Sequence, residues 1–306
     1  MEVRTIGIIG AGTMGRGIAY AAAFGGYKTI LEDVSPAMLE QSVAYIRKTL
    51  EDGVARGKVT PEQRDAAIAN LSTSVSLEDV CSKSELLIEA VPEEMKLKLD
   101  LFATFGKLAK PDAILASNTS SLSIAEMGGV TSRAGHCIGL HFFNPVPKMK
   151  LIEIIRAPET ADATVAACAE VGRRMGKEVV IVRESPGFIT SRINATIGNE
   201  AFYMLQEGIA SPEDIDKALK LGLNHPMGPF ELVDLVGLDV RLRILEYLHK
   251  TLGEKYCPCP LLVQYVREGR LGRKSGRGVY DYAESGERKA TSEPNPSAGI
   301  RDDDRR

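Results

Sequence analysis

The chain has 306 residues, 44% hydrophobic and 26% charged, with a formal net charge of -3. That length and apolar content suit two domains with sizeable cores, and the charge excludes the basic excess of a general nucleic-acid binder. Aromatic residues are 6% of the total and tryptophan is absent, which leaves little for base-stacking platforms.

An apolar strand begins within "MEVRTIGIIGAG", so no signal or transit peptide is expected. The strongly apolar runs are of strand length, too short for a bilayer, and the reading is a cytoplasmic protein without membrane contact. Up to Glu184, β-rich runs alternate with amphipathic stretches. The strand candidates in order are "TIGIIG", "KTILED", "ELLIEAV", "AILASN", "CIGLHFF", "KLIEII" and "EVVIV". "SPAMLEQSVAYIRKTLEDGVARG" and "PEEMKLKLDLFATFGKLAK" are the clearest helices between them. Alternation of this kind predicts a doubly wound α/β domain, a Rossmann-type parallel sheet over residues 1–184. "RESPG" at 183–187 reads as a hinge.

Beyond it the strand texture stops. "GFITSRINATIGNEAFYMLQEG", "SPEDIDKALKLG", "GPFELVDLVGLDVRLRILEYLHKTLG" and "CPLLVQYVREG" read as helices punctuated by Gly and Pro, a smaller all-α domain over 185–282. Residues 283–306, rich in charge, Pro and Ser, read as a disordered tail. The five cysteines, Cys81, Cys137, Cys168, Cys257 and Cys259, are scattered and odd in number, as free thiols in a reducing compartment are. "CPCP" at 257–260 has no second Cys pair and no neighbouring His in sequence, which leaves a tetrahedral metal site unfilled. No metal is expected.

Three features carry chemistry. Gly10-Ala11-Gly12-Thr13-Met14-Gly15 follows a strand and opens a small-residue helix. Gly10 permits the tight turn, Gly12 the approach of a pyrophosphate and Gly15 close helix–strand packing. The anion would sit at the helix N-terminus. "TILED" then places Glu32 and Asp33 at the end of the second strand. A carboxylate there accepts from the adenosine ribose and repels a 2′-phosphate, so the cofactor is read as NAD rather than NADP. Third, His141 interrupts one apolar run and Glu153 the next, polar groups where burial is unfavourable.

Together with "EAVPEEMKLK" (89–98), "SNTSSLSI" (117–124), "GLHFFNPVPKMKLIEII" (139–155), "LGLNHPMGPFELVDLVGLD" (221–239) and "LGRKSGRGVYDY" (271–282), these features strongly resemble the L-3-hydroxyacyl-CoA dehydrogenase family. The single-function bacterial 3-hydroxybutyryl-CoA dehydrogenases look nearest. The resemblance runs in unbroken order from about residue 4 to residue 282. It implies reversible NAD-dependent oxidation of a short-chain (S)-3-hydroxyacyl-CoA, as in fatty acid metabolism, with His141 as general base and Glu153 orienting it. It further implies that Ser120 meets the substrate oxygen and Asn144 lies beside the nicotinamide and the histidine, both also on the cofactor side, with Glu93, Lys98 and Lys274 as cofactor contacts. Where the family often has an asparagine, this chain has Ser191, a shorter single donor; Asn194, one turn on, is the alternative. Thr49 and Arg56, with Lys48 and Lys58, either meet the CoA phosphates or form a solvated helix face. The apolar surface of the helical domain suggests a homodimer. Two other functions stand beside this one: a sugar-acid oxidoreductase resembling L-gulonate 3-dehydrogenase, which would keep the dyad and dispense with CoA, and a catalytically silent NAD-binding protein, against which the intact Ser120, His141, Asn144 and Glu153 set argues.

Overall fold

The computed structural model describes residues 2–289, and the chain divides into two compact units, Met1–Phe188 and Ile189 onward. The first opens with β1 (Thr5–Ile9), α1 (Thr13–Phe24), β2 (Lys28–Glu32), α2 (Pro36–Ala55), α3 (Pro61–Ala69), β3 (Leu71–Ser74), α4 (Leu77–Lys83) and β4 (Leu86–Glu89). It continues with α5 (Met95–Leu108), β5 (Ile114–Ser117), α6 (Ile124–Gly129), β6 (Cys137–Phe142), β7 (Leu151–Arg156), α7 (Asp162–Arg174) and β8 (Glu178–Arg183). The described strands form one sheet in the order β3-β2-β1-β4-β5-β6-β7-β8. Central strands such as β1 and β4 are largely apolar and buried because both faces are covered. On β6, Ile138, Leu140 and Phe142 join the core that holds Ile18, Ile46 and Val165, from α1, α2 and α7. Cys137 shares the opposite core with Val80, Phe102 and Met127, from α4, α5 and α6.

The sheet is doubly wound, as the alternating pattern predicts, with one reversal the sequence reading did not contain. β6 and β7 are antiparallel, since the loop 143–150 between them is too short for the crossover that parallel strands require. β3 was also missed. "LSTS" has a single apolar residue, and on an outer strand it is largely exposed. Phe188, 3% exposed, belongs to the core of the first unit, so the division falls a few residues beyond 184/185. Within "RESPG", Glu184 accepts from Ser123 Oγ (2.6 Å) and from Ala125 N–H (3.0 Å), which anchors the end of β8 to the start of α6.

The second unit comprises α8 (Thr190–Gln206), α9 (Pro212–Gly222), α10 (Pro229–Val236), α11 (Leu238–Leu252) and α12 (Pro260–Arg267), packed around Phe202, Phe230, Leu245, Leu248 and Leu262. The long stretch 228–253 is two helices, broken at Gly237, whose φ of 108° only glycine adopts freely. "GRGVYDY" closes this unit. Asp234 accepts from Val279 N–H, Tyr280 N–H and Tyr282 Oη, while Asp216 accepts from Phe230 N–H, Glu231 N–H and Tyr280 Oη. Burial raises both carboxyl pKa values, and those donors oppose the rise. Residues 283–289 form a hairpin end, with Ala283 N–H donating to Glu287 O and Lys289 N–H to Asp281 O. The remainder of the expected tail lies outside the described residues. No described helix is long and apolar enough to cross a membrane.

Candidate active site

In open α/β sheets, ligands bind outside the carboxyl ends of the strands, and the polar residues of the first unit gather at that edge. Gly10 turns the chain with φ 98°, and its N–H donates to Glu32 O at 2.8 Å. A Cβ on Gly15 would lie 1.7 Å from Gly10 O, so α1 can pack here only on glycine. A Cβ on Gly12 would meet nothing within 4 Å. The protein itself therefore does not require glycine at 12, which fits a position kept bare for a ligand. Gly12 caps α1 without a side-chain bond, leaving the first N–H groups, from Thr13 and Met14 on, available to an anion. Asp33 Oδ2 accepts from Ala11 N–H (2.8 Å) and Oδ1 from Ser35 N–H (2.9 Å), which fixes the carboxylate beside the glycine loop. Open glycine, uncapped helix and fixed acid together fit an adenine dinucleotide.

At the ends of β4 and β5 lies a buried ionic chain. Lys98, on α5 and 1% exposed, donates to Glu89 Oε1 at 2.6 Å and lies 3.2 Å from Glu93 Oε2. Glu93 Oε1 in turn accepts from Thr119 Oγ1 (2.6 Å), Ser120 N–H (3.0 Å) and Ser120 Oγ (3.3 Å). Lys98 thus bears on the edge through Glu93 rather than by its own exposure.

His141 and Glu153 are direct partners across the antiparallel β6–β7 ladder, so both side chains project from the same face. His141 Nδ1 lies 2.7 Å from Glu153 Oε2, with side-chain exposures of 8% and 1%. A carboxylate at Nδ1 assigns the proton to that nitrogen and leaves Nε2 as the lone pair. The ring is walled by Phe143 at 4.5 Å and Phe188 at 5.8 Å. Asn144 is exposed on the following loop. That loop is tied down by Lys177, whose Nζ donates to Val146 O (2.6 Å) and Met149 O (2.8 Å).

The other sequence-selected residues lie on α2 and in the second unit. On α2, Thr49 Oγ1 donates to Tyr45 O at 2.8 Å, and Arg56 is exposed at the C-terminal cap. In the second unit Ser191 is half-buried and Asn194 exposed on α8, while Lys274 pairs with Asp239 at 2.6 Å. Cys257, His249 and Glu254 bring donor atoms within 4.8 Å of one another, but Glu254 is 90% exposed, and Cys259 points instead to Gln206.

Glu89 and Lys177 were missed by the sequence reading, and Glu32, which shares the end of β2 with Asp33, is buried. Glu32 is 4% exposed, and burial, then the neighbouring Asp33, pushes its carboxyl pKa up to about 7. A charged residue ending an apolar strand was the available signal for Glu89. Lys177 looked like an ordinary basic residue after a helix.

Residues 5–185 match the family description "3-hydroxyacyl-CoA dehydrogenase, NAD binding domain", and residues 187–282 match "3-hydroxyacyl-CoA dehydrogenase, C-terminal domain". A probable 3-hydroxybutyryl-CoA dehydrogenase of Bacillus subtilis is 45% identical over 285 residues, 93% of this chain and 99% of that one. A 3-hydroxybutyryl-CoA dehydrogenase of Bradyrhizobium diazoefficiens is 44% identical, over 92% and 96% of the two chains. The crystal structure of (S)-3-hydroxybutyryl-CoA dehydrogenase from Ralstonia eutropha superposes with a TM-score of 0.90 at 43% identity, covering 92% of this chain and all of the other. With both halves of the family present in order and relatives matched over nearly their full lengths, the chain belongs to the 3-hydroxyacyl-CoA dehydrogenase family.

Proposed function

We propose that this protein interconverts (S)-3-hydroxybutyryl-CoA and acetoacetyl-CoA, reversibly and with NAD, using His141 and Glu153 as its proton-transfer dyad. The observation that carries the reading is the buried 2.7 Å contact between Glu153 and His141 Nδ1. It leaves His141 Nε2 without a hydrogen bond among the described residues, at the sheet edge where substrates of this architecture bind. NAD, held by the glycine loop and Asp33, would supply the acceptor for the hydride of C3. In that direction His141 Nε2 takes the proton of the 3-hydroxyl, and the carboxylate of Glu153 stabilises the imidazolium that results. In reduction the same nitrogen returns the proton to the forming alkoxide. Ser120 offers its hydroxyl to the substrate oxygen, Asn144 flanks the nicotinamide, and the glycine loop with Asp33 holds the dinucleotide. Thr49 and Arg56 are assigned to the CoA moiety, Lys274 to the cofactor and Ser191 to the substrate. The active species is proposed to be a homodimer built on the helical unit.

The test is the absorbance of NADH mixed with the protein and acetoacetyl-CoA, repeated with NADPH. Loss with NADH, much slower loss with NADPH, and none in His141→Ala are the expected results. A folded protein that binds NADH yet oxidises none of it on acetoacetyl-CoA would refute the reading.

A further inference from the structure

The buried chain at the ends of β4 and β5 contains one residue with no role so far. Glu89 closes β4, is 0% exposed, and has both carboxylate oxygens occupied. Oε1 accepts from Lys98 Nζ (2.6 Å) and Val91 N–H (2.8 Å), and Oε2 accepts from Ser117 Oγ (2.6 Å). Ser117 is its in-register neighbour on β5, and Ser117 Oγ also accepts from Thr119 N–H at 3.1 Å. Two routes thus leave Glu89 and converge on one turn: through Lys98 and Glu93 to Ser120, and through Ser117 to Thr119, whose Oγ1 accepts from Ser121 N–H and Leu122 N–H.

Stability does not account for the arrangement. Desolvating two ions costs about as much as their attraction returns, so a buried pair is no better for folding than apolar residues of the same volume. Among the described residues, Lys98–Glu89 is the one lysine– or arginine–carboxylate pair with both side chains buried. It lies not in the middle of either core but on the ligand-binding edge. Its side-chain contacts lead through Ser117 and Glu93 to the turn at 119–120, and Glu93 is 40% exposed.

We propose that Glu89 is a positioning residue for cofactor and substrate. It locks the Lys98 ammonium, which orients Glu93, which in turn holds Ser120. This assignment rests on the functional reading above for the role of Ser120, but not for its test.

NADH affinity, followed by nicotinamide fluorescence, is the primary readout, with turnover on acetoacetyl-CoA and the melting temperature alongside. Glu89→Gln keeps shape and removes charge. It should weaken NADH binding by roughly ten-fold or more, the scale expected when a supporting contact lets a site residue drift. Lys98→Met should do the same. In the Glu89→Gln, Lys98→Met double variant no buried charge is left unpaired, so the melting temperature should return towards that of the parent. NADH affinity should stay at the level of the worse single variant, because both residues act along one path. Unchanged NADH affinity in Glu89→Gln would overturn the proposal. So would losses that multiply in the double variant, or a double variant that regains NADH affinity along with stability, since the pair would then be merely structural. If the parent protein binds NADH but does not turn over acetoacetyl-CoA, the functional reading fails while the affinity comparison still decides the role of Glu89.

Discussion

Glu153 contributes a carboxylate that is 1% exposed and 2.7 Å from a ring nitrogen, and in the proposed dyad its charge, not its bulk, is what would act. Glu153→Gln keeps the volume but presents either an amide N–H or a neutral oxygen to Nδ1. Turnover should fall by about a hundred-fold or more with KM for acetoacetyl-CoA little changed, the pattern for a group that stabilises charge only in the transition state. A second residue makes a pH-dependent contribution. Glu32 holds its proton in the folded state up to about pH 7, against an ordinary value of 4.5. Its favourable contribution is complete below about pH 4.5 and is lost as pH rises to about 7, because only the unfolded chain releases the proton in that window. Glu32→Gln should therefore melt higher than the parent at pH 8, by roughly 4 °C for an effect of about 1–2 kcal/mol, and should gain nothing near pH 4.5. An equal gain at both pH values would show that the charge is not the cause. At this scale the sequence exposed what was anomalous in one dimension, a histidine and a glutamate inside apolar runs. It concealed Glu89 and Lys177, whose partners are brought together only by the sheet and by the 143–150 loop.

The glycine loop separates two demands that a sequence pattern merges. Gly15 is required by the fold, since any Cβ would strike Gly10 O. Gly15→Ala should destabilise the first unit by about 1–3 kcal/mol or more, visible as a lowered melting temperature without any ligand. Gly12 has open space around it. Gly12→Ala should melt like the parent and bind NADH more weakly, and a variant that binds normally would mean the dinucleotide does not approach there. Most elements were legible because their periodicity was strong. The exceptions have physical causes. β3 is polar and on the sheet edge, the β6–β7 reversal is decided by loop length rather than by composition, and α10 and α11 separate because Gly237 takes up a conformation that an apolar helical pattern does not betray.

The molecule as a whole joins a unit that holds the dyad and the glycine loop to a helical unit with its own core. That helical unit leaves Leu221 77%, Leu223 66% and Leu235 50% exposed, side chains of the kind that an interface between copies would cover. For the proposed homodimer, light scattering should give twice the chain mass, and Leu221→Arg with Leu223→Arg should halve it while leaving NADH binding in place. A monomeric parent protein would remove the dimer, and a dimer that survives both substitutions would remove these leucines from its interface. The division into an α/β and an all-α part was legible from the change of texture after Pro186. The placing of Phe188 with the first part was not, because only the folded chain brings its ring beside His141.

The pairing of His141 and Glu153 as opposite rungs of one ladder also makes the imidazole a marker of strand alignment. A slip of one residue between β6 and β7 would set Glu153 against Leu140 or Phe142 and carry its side chain to the other face. The strongly bonded Nδ1 proton, recognisable at low field in a nuclear magnetic resonance spectrum, therefore exists only in correctly aligned molecules. During refolding, its appearance would time the moment at which these two strands lock, independently of any assay for activity.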